Sequence, residues 1–157
     1  MALLNIVKEG DPILRKTSRR IETITPREIR LLDDMRDTLR KAQGAGLAAV
    51  QVGVLKRIVL VEAEPGDLVE LINPEIIESS GHQEELEGCL SVPDVWGITS
   101  RPETVTVRAM NRKGEIFTVS GSGLKARALC HELDHLEGKL FTDNAVHILT
   151  PEEIDEL

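Results

Sequence analysis

Between Thr25 and Gly44 apolar residues recur at Ile29, Leu32, Met35, Leu39 and Ala42, spaced three, three, four and three apart. That spacing draws one stripe along a helix. Thr25, Pro26 and Glu28 supply its start: a hydroxyl that caps, a ring suited to the first turn, and a carboxylate that reaches back to close a capping box. Gly44 is the expected stop. Ile58-Val59-Leu60-Val61 is a continuous aliphatic run rich in β-branched residues, which predicts a strand buried on both faces. Leu68 to Ile72 and Glu75 to Glu78 read as two further strands broken at Asn73-Pro74. Val105 and Val107 alternate with Thr104, Thr106 and Arg108, and Asn111 to Gly114 supply a turn before Ile116 to Val119, which predicts short antiparallel pairing. Leu124, Ala128, Leu129, Leu133 and Leu136 mark a second long helix, stopped near Gly138. Thr150-Pro151-Glu152-Glu153 repeats the capping pattern, with eight residues from Thr150 to the end. Without repeats, linkers or low-complexity stretches, the pattern predicts one α+β domain over residues 1–157.

Composition narrows the class. The chain has 157 residues, 41% of them hydrophobic, yet only 2 Phe, 1 Trp and no Tyr, so its core and any pocket lining are expected to be aliphatic. A chain of this length buries roughly two thirds of its unfolded surface and needs no disulfide framework. Acidic residues outnumber basic ones 27 to 19, a net charge of -8, which argues against direct nucleic-acid binding and against an anionic membrane surface. Cys89 and Cys130 are too few for a framework, and a reducing compartment is the expectation. The first fifteen residues meet Lys8, Glu9, Asp11 and Arg15 before an apolar run of about seven develops, so no signal peptide is expected. No window approaches the roughly 18 apolar residues of a membrane span. The expected location is the cytoplasm.

The chemistry concentrates in three segments. His131-Glu132-Leu133-Asp134-His135 lies on the second long helix, where positions i and i+4 share a face, so both imidazoles can converge on one ion with Glu132 beside them. The alternative is a solvated helix face that happens to carry two histidines. A catalytic metal takes three protein ligands and keeps a position for water. His147, twelve residues beyond His135, does not fit the spacing of a third ligand; Cys89, in Glu87-Gly88-Cys89-Leu90-Ser91 before Pro93, is the better candidate. A lone cysteine also serves as a small buried hydrophobe. The third segment, Gly44-Ala45-Gly46-Leu47-Ala48-Ala49-Val50-Gln51, offers either close backbone approach to a ligand or tight packing of loop on sheet.

GAGLAAVQ (44 to 51), EGCLS (87 to 91) and HELDH (131 to 135) resemble, in order and spacing, the three signature motifs of the bacterial polypeptide deformylase family. The likeness runs from Asp11-Pro12-Ile13-Leu14-Arg15 to Gly138-Lys139-Leu140-Phe141-Thr142-Asp143. It implies a fold with small antiparallel sheets packed around a central HExxH helix. It also implies a metal-dependent hydrolase acting on a linear amide, one that removes the formyl group from the N-terminal formyl-methionine of newly synthesised polypeptides. The resemblance assigns Cys89, His131 and His135 to the metal, expected to be Fe2+ with zinc, nickel or cobalt able to substitute. Glu132 is then the general base and later the acid for attack by metal-activated hydroxide. Gln51 and the backbone N–H of Leu90 face the developing oxyanion. Gly46 bonds the substrate backbone in the manner of an added strand. The stem of Arg127, Leu90 and Leu129 line the methionine pocket, and Ala45 lines the substrate groove. Formyl-methionyl nascent chains are the implied partners, with transient ribosome association.

Two departures from the family pattern stand out. Cys130 replaces a common Gln before the first histidine, and its side chain is expected about 100° away from the metal. Ala45 replaces a larger aliphatic, which predicts a slightly roomier groove. The ending after Thr150 is also much shorter than the long C-terminal helix of some members, which argues against ribosome docking through such a helix. The rival readings are an HExxH metallopeptidase cleaving internal bonds and a non-catalytic metal-binding module.

Overall fold

The computed structural model describes residues 2–157. Four helices, α1 (Pro26–Ala42), α2 (Leu124–Leu136), α3 (Phe141–Asn144) and α4 (Pro151–Asp155), accompany eight strands. The strands are β1 (Gly46–Ala48), β2 (Ile58–Glu62), β3 (Leu68–Ser80), β4 (Gln83–Cys89), β5 (Val92–Arg101), β6 (Thr104–Met110), β7 (Ile116–Ser122) and β8 (Ala145–Ile148). They form a five-stranded sheet in the order β1-β2-β3-β6-β7 and a three-stranded sheet in the order β4-β5-β8. Every pairing between these strands is antiparallel, and an isolated parallel bridge joins Arg19 to Lys56.

Helix α2 lies against the five-stranded sheet, burying Leu129, Leu133 and Leu136 with Ala48, Val59, Val61, Leu71, Val105 and Val107. On the opposite face α1 buries Leu32, Met35 and Leu39 with Leu47, Ile58, Leu60 and Ile72. The uninterrupted aliphatic run of β2 follows from this: alternate residues serve two different helices, so neither face meets water. Helix α1 begins with the expected capping box, the Thr25 N–H donating to Glu28 Oε1 at 2.8 Å.

Its end differs from expectation by one residue. Gln43, not Gly44, takes the left-handed conformation (φ 57°) that stops the helix. Gly44 instead packs closely against leucine side chains, since a Cβ there would stand 2.9 Å from Leu90 Cδ1 and 3.2 Å from Leu39 Cδ1 and one of them would have to shift. The break expected at Asn73-Pro74 is a bulge within one continuous strand. Asn73 absorbs the irregularity at φ 52°, and its side-chain amide clamps Ile21, accepting from the N–H and donating to the C=O at 2.8 Å each. Asparagine tolerates that conformation as most residues do not.

The β4–β5 hairpin was not legible as strands. Cys89 pairs with Val92 across the two-residue turn Leu90-Ser91, and Glu87 pairs with Gly97, so Pro93, Asp94, Val95 and Trp96 all stand against the single Gly88. This wide bulge carries Asp94 at φ 64°. Bulges of this kind re-aim side chains beside functional sites.

Candidate metal centre and substrate cavity

Three elements supply the centre. Helix α2 presents His131, Glu132 and His135, the end of β4 presents Cys89, and the short turn after β1 (Ala49–Val52) presents Gln51. At about 100° per residue, α2 divides cleanly. Ala126, Leu129, Leu133 and Leu136 take the face toward the sheet, while Leu124, Ala128, His131 and Glu132 face a cavity of about 440 Å³.

Cys89, His131 and His135 bring one donor atom each within 4.8 Å of one another. His135 Nε2 stands 3.2 Å from His131 Nε2 and 3.4 Å from Cys89 Sγ. In a tetrahedron with metal–nitrogen bonds of about 2.05 Å and metal–sulfur bonds of about 2.3 Å, donors stand about 3.3 Å (N to N) and about 3.6 Å (N to S) apart. The observed separations match within a few tenths of an ångström. The electrostatics ask for a cation too. Burial opposes charge on His131, yet Glu132, Cys89 and Glu87 raise its pKa well above the ordinary value. Burial and the charge of His131 hold His135 well below it. The site fits a divalent ion bound by one thiolate and two neutral imidazoles.

Glu132 is buried, and one of its oxygens, Oε1, has no hydrogen-bond partner among the described residues. A buried carboxylate oxygen in that state is normally satisfied by water or substrate. Burial lifts the Glu132 carboxyl to about 7, the range in which a group can both take and return a proton near neutral pH. Gln51 is held in one orientation. Its Oε1 accepts from the Ala48 N–H at 2.9 Å, so its Nε2 must face the metal side, where it donates to Ser91 Oγ at 3.1 Å and lies 3.7 Å from Cys89 Sγ. Gly46 lies directly against Glu132: a Cβ on it would stand 2.5 Å from Oε2.

Behind His131 is a set of residues the sequence did not disclose. Glu87 bonds His131 Nδ1 at 2.6 Å and Arg101 Nη2 at 2.7 Å, and Arg101 Nη1 reaches Asp134 at 2.7 Å. Burial alone would raise the Glu87 carboxyl, but His131 and Arg101 hold it down at about 2. An ionised carboxylate on Nδ1 fixes the tautomer that leaves Nε2 free to ligate. Glu87 sits inside the EGCLS motif, a signal that could have been followed. Arg101 reaches it only through the β4–β5 pairing.

Gly44, Ala45, Gly46, Gln51, Cys89, Leu90, Arg127, His131 and Glu132 all line the cavity. Leu129 does not. It is fully buried between α2 and the sheet, because it lies about 200° round the helix from His131; Leu124 and Ala128 hold the place expected for it. Trp96 from the β5 bulge adds an aromatic side chain to a wall expected to be aliphatic. Cys130 is buried in the core, where burial pushes its thiol up to about 11, so it stands apart from the metal ligands. His147 is exposed on β8, bonded to Glu153 at 2.9 Å. Among the described residues no helix is long and apolar enough to cross a membrane.

The arrangement matches known proteins along nearly its whole length. A polypeptide deformylase family model matches residues 3–150. A peptide deformylase of Acetivibrio thermocellus is 52% identical over 155 residues, covering 99% of this chain and 91% of that protein. The crystal structure of a peptide deformylase from Legionella pneumophila superposes with a TM-score of 0.88 at 38% identity, covering 99% of this chain and 95% of that one. A class I type b peptide deformylase from Acinetobacter baumannii, crystallised with Met-Ala-Ser bound, superposes at 0.86 with 34% identity, covering 91% of this chain and 98% of that one. In motif, metal-ligand geometry and fold alike, this chain belongs to the polypeptide deformylase family.

Proposed function

We propose that this chain is a metal-dependent hydrolase that removes the formyl group from the N-terminal formyl-methionine of newly made polypeptides. The observation that carries the proposal is the convergence of Cys89, His131 and His135 beside Glu132 and an oriented Gln51 amide, at the wall of an apolar cavity. Ferrous iron is the proposed ion, held by those three side chains; zinc, nickel and cobalt suit the same donor set. When bound, a divalent ion supplies Lewis acidity that makes hydroxide available near neutral pH.

The protein's own groups do the rest. Glu132, with its carboxyl near 7, accepts the proton of the attacking water and returns it to the departing amine, which leaves as a neutral amine only if protonated. Gln51 Nε2, fixed by the Ala48 N–H, and the backbone N–H of Leu90 donate to the formyl oxygen as charge gathers on it. The chain after methionine lies along the β1 edge at Gly46, where the absence of a side chain admits a second backbone. Leu90, Leu124, Ala128 and the stem of Arg127 surround the thioether. The tripeptide held by the Acinetobacter baumannii relative begins with methionine, in keeping with this assignment. One catalytic domain spans residues 1–157 and acts in the cytoplasm, meeting nascent chains transiently at the ribosome.

The test is turnover of a formyl-methionyl peptide against its acetyl counterpart, with ferrous iron and then with zinc. Only the formyl peptide should react. Glu132→Gln should keep metal and lose turnover, and Cys89→Ala should lose both. Full activity in either variant overturns the assignment.

A further inference from the structure

Residues 2 to 9 belong to neither sheet, yet their backbone is bonded to three separate elements. The Ala2 N–H donates to Asp34 at 3.2 Å and the Leu4 N–H to Thr38 Oγ1 at 2.9 Å, both on α1. The Val7 N–H donates to the Gln51 carbonyl at 2.7 Å, and the Glu9 N–H donates to the Ser91 carbonyl at 2.7 Å. Between them the Lys8 ammonium donates to the Leu90 carbonyl at 3.3 Å. Val7 also packs on the cluster that buries Leu14, Val92, Leu140 and Phe141, so the segment is anchored on both sides of these bonds. Gln51 follows β1 of the five-stranded sheet, while Leu90 and Ser91 close a hairpin of the three-stranded sheet. Among the described residues no strand pairs across the two sheets, so no β-ladder sets the distance between these turns. Gln51 Nε2 does reach Cys89 Sγ and Ser91 Oγ directly, but those bonds end on the amide that must meet the formyl oxygen. The span from Val7 to Glu9 holds the backbone behind it.

We infer that Val7, Lys8 and Glu9 are positioning residues, a backbone clamp that fixes the separation and aim of the two oxyanion donors, Gln51 Nε2 and the Leu90 N–H. This rests on the deformylase reading and adds to it a part outside the substrate cavity, which none of the three residues lines. Two peptide units span at most about 7 Å and have few soft torsions, so a link this short is stiff. Cys89 is held on one side as a ligand, and the Leu90 and Ser91 carbonyls are held on the other by Lys8 and Glu9. The peptide that carries the Leu90 N–H therefore has little freedom to turn. Oxyanion donors act as charge develops, so loss of aim lowers kcat and spares KM. Removing a whole donor costs about 100- to 1,000-fold. The clamp aims a donor and is not one itself, so its release costs about tenfold or more. A segment that only covered the core would change stability and leave the kcat of the folded enzyme as it was.

The experiment measures kcat and KM of the iron-loaded, full-length enzyme on formyl-Met-Ala-Ser, with metal content and thermal unfolding on the same samples. Val7→Pro removes the N–H that Gln51 accepts, whereas Val7→Ala keeps it and trims only the packing. Val7→Pro should lose about tenfold or more in kcat with KM within about twofold and metal unchanged. Val7→Ala should stay within about threefold of wild type. One glycine inserted between Lys8 and Glu9 keeps every N–H but lengthens the clamp by about 3.4 Å. It should show the same loss of kcat, and it carries the test if the proline variant does not fold. Gln51→Ala removes the amide being aimed, so on that background Val7→Pro should cost less than about twofold, whereas a general structural effect would cost the same factor in both backgrounds. Absence of turnover in the wild type would remove the deformylase reading and the clamp with it. With a normal wild type, three results overturn the clamp alone: kcat within about twofold of wild type in both the proline and the insertion variants, equal fold losses with and without the Gln51 amide, or a loss in Val7→Ala as large as in Val7→Pro.

Discussion

Gly46→Ala displaces the general base and also narrows the β1 edge on which the substrate backbone is proposed to lie. The added Cβ would stand 2.5 Å from Glu132 Oε2, 2.8 Å from Cγ and 2.9 Å from Cδ. Ordinary contact begins near 3.4 Å, so the carboxylate must retreat by about 0.9 Å along the line of closest approach. The end of a glutamate can do this by leaving its preferred rotamer, at a cost of about 1 kcal/mol. Overpacking in a buried site adds to that, and a loss of about 1–2 kcal/mol in stability follows. For a chain of this size that lowers Tm by roughly 3–6 °C. The effect on reaction is larger, because a reacting group misplaced by about 1 Å forfeits on the order of 100-fold in rate. The metal ligands are untouched, so metal content stays at the wild-type level. Steady-state kinetics on a formyl-methionyl peptide, thermal unfolding and metal analysis on the same sample separate these effects. A Gly46→Ala enzyme within about threefold of wild-type kcat/KM would refute the claim that Glu132 works from the position seen here.

Three further outcomes are expected. Glu28 accepts from Thr25 and pairs with Lys56, bonds that lower its carboxyl from 4.5 to about 2. A folded pKa below the unfolded one adds stability above the unfolded value and loses it as pH falls toward 2. Urea unfolding should therefore show Glu28→Gln weaker by about 2 kcal/mol at pH 7, allowing for the partly hydrated Lys56, with the gap closing below pH 4.5; a gap constant with pH contradicts it. Leu129→Ala should cost about 2–4 kcal/mol of stability while the folded enzyme keeps its preference for methionine, whereas Ala128→Leu should raise KM by filling the cavity; the reverse pattern would return Leu129 to the pocket. Chelation of the metal should lower Tm by on the order of 10 °C if the ion is present at about 1,000 times its Kd, with ferrous iron restoring both Tm and turnover. An unchanged Tm would mean the three ligands contribute nothing to folding.

Local periodicity carried α1, β2 and α2, because each buries a face whose repeat is written directly in the order of residues. The ligands on α2 were equally legible, since His131 and His135 share a helix face whatever surrounds them. Cys89 was the better third-ligand candidate from its turn-prone setting, but a cysteine before a turn says little by itself, and the likeness of EGCLS to a family motif made the assignment. The β4–β5 hairpin was hidden because most of its residues face solvent or the cavity, giving the pattern Gln83 buried, Glu84 and Glu85 exposed no apolar alternation to display.

By itself, then, the sequence determined which helix carries the chemistry, which strand is doubly buried and which family the motifs resemble. All of these depend on residues close in the chain. Only the tertiary structure decided that Leu129 belongs to the core, that Arg101 and Glu87 orient His131, and that a bulge brings Trp96 to the cavity wall. Those depend on strand register and on the rotation of a helix against a sheet. Both are fixed by burying the whole apolar surface at once, and no local pattern specifies them.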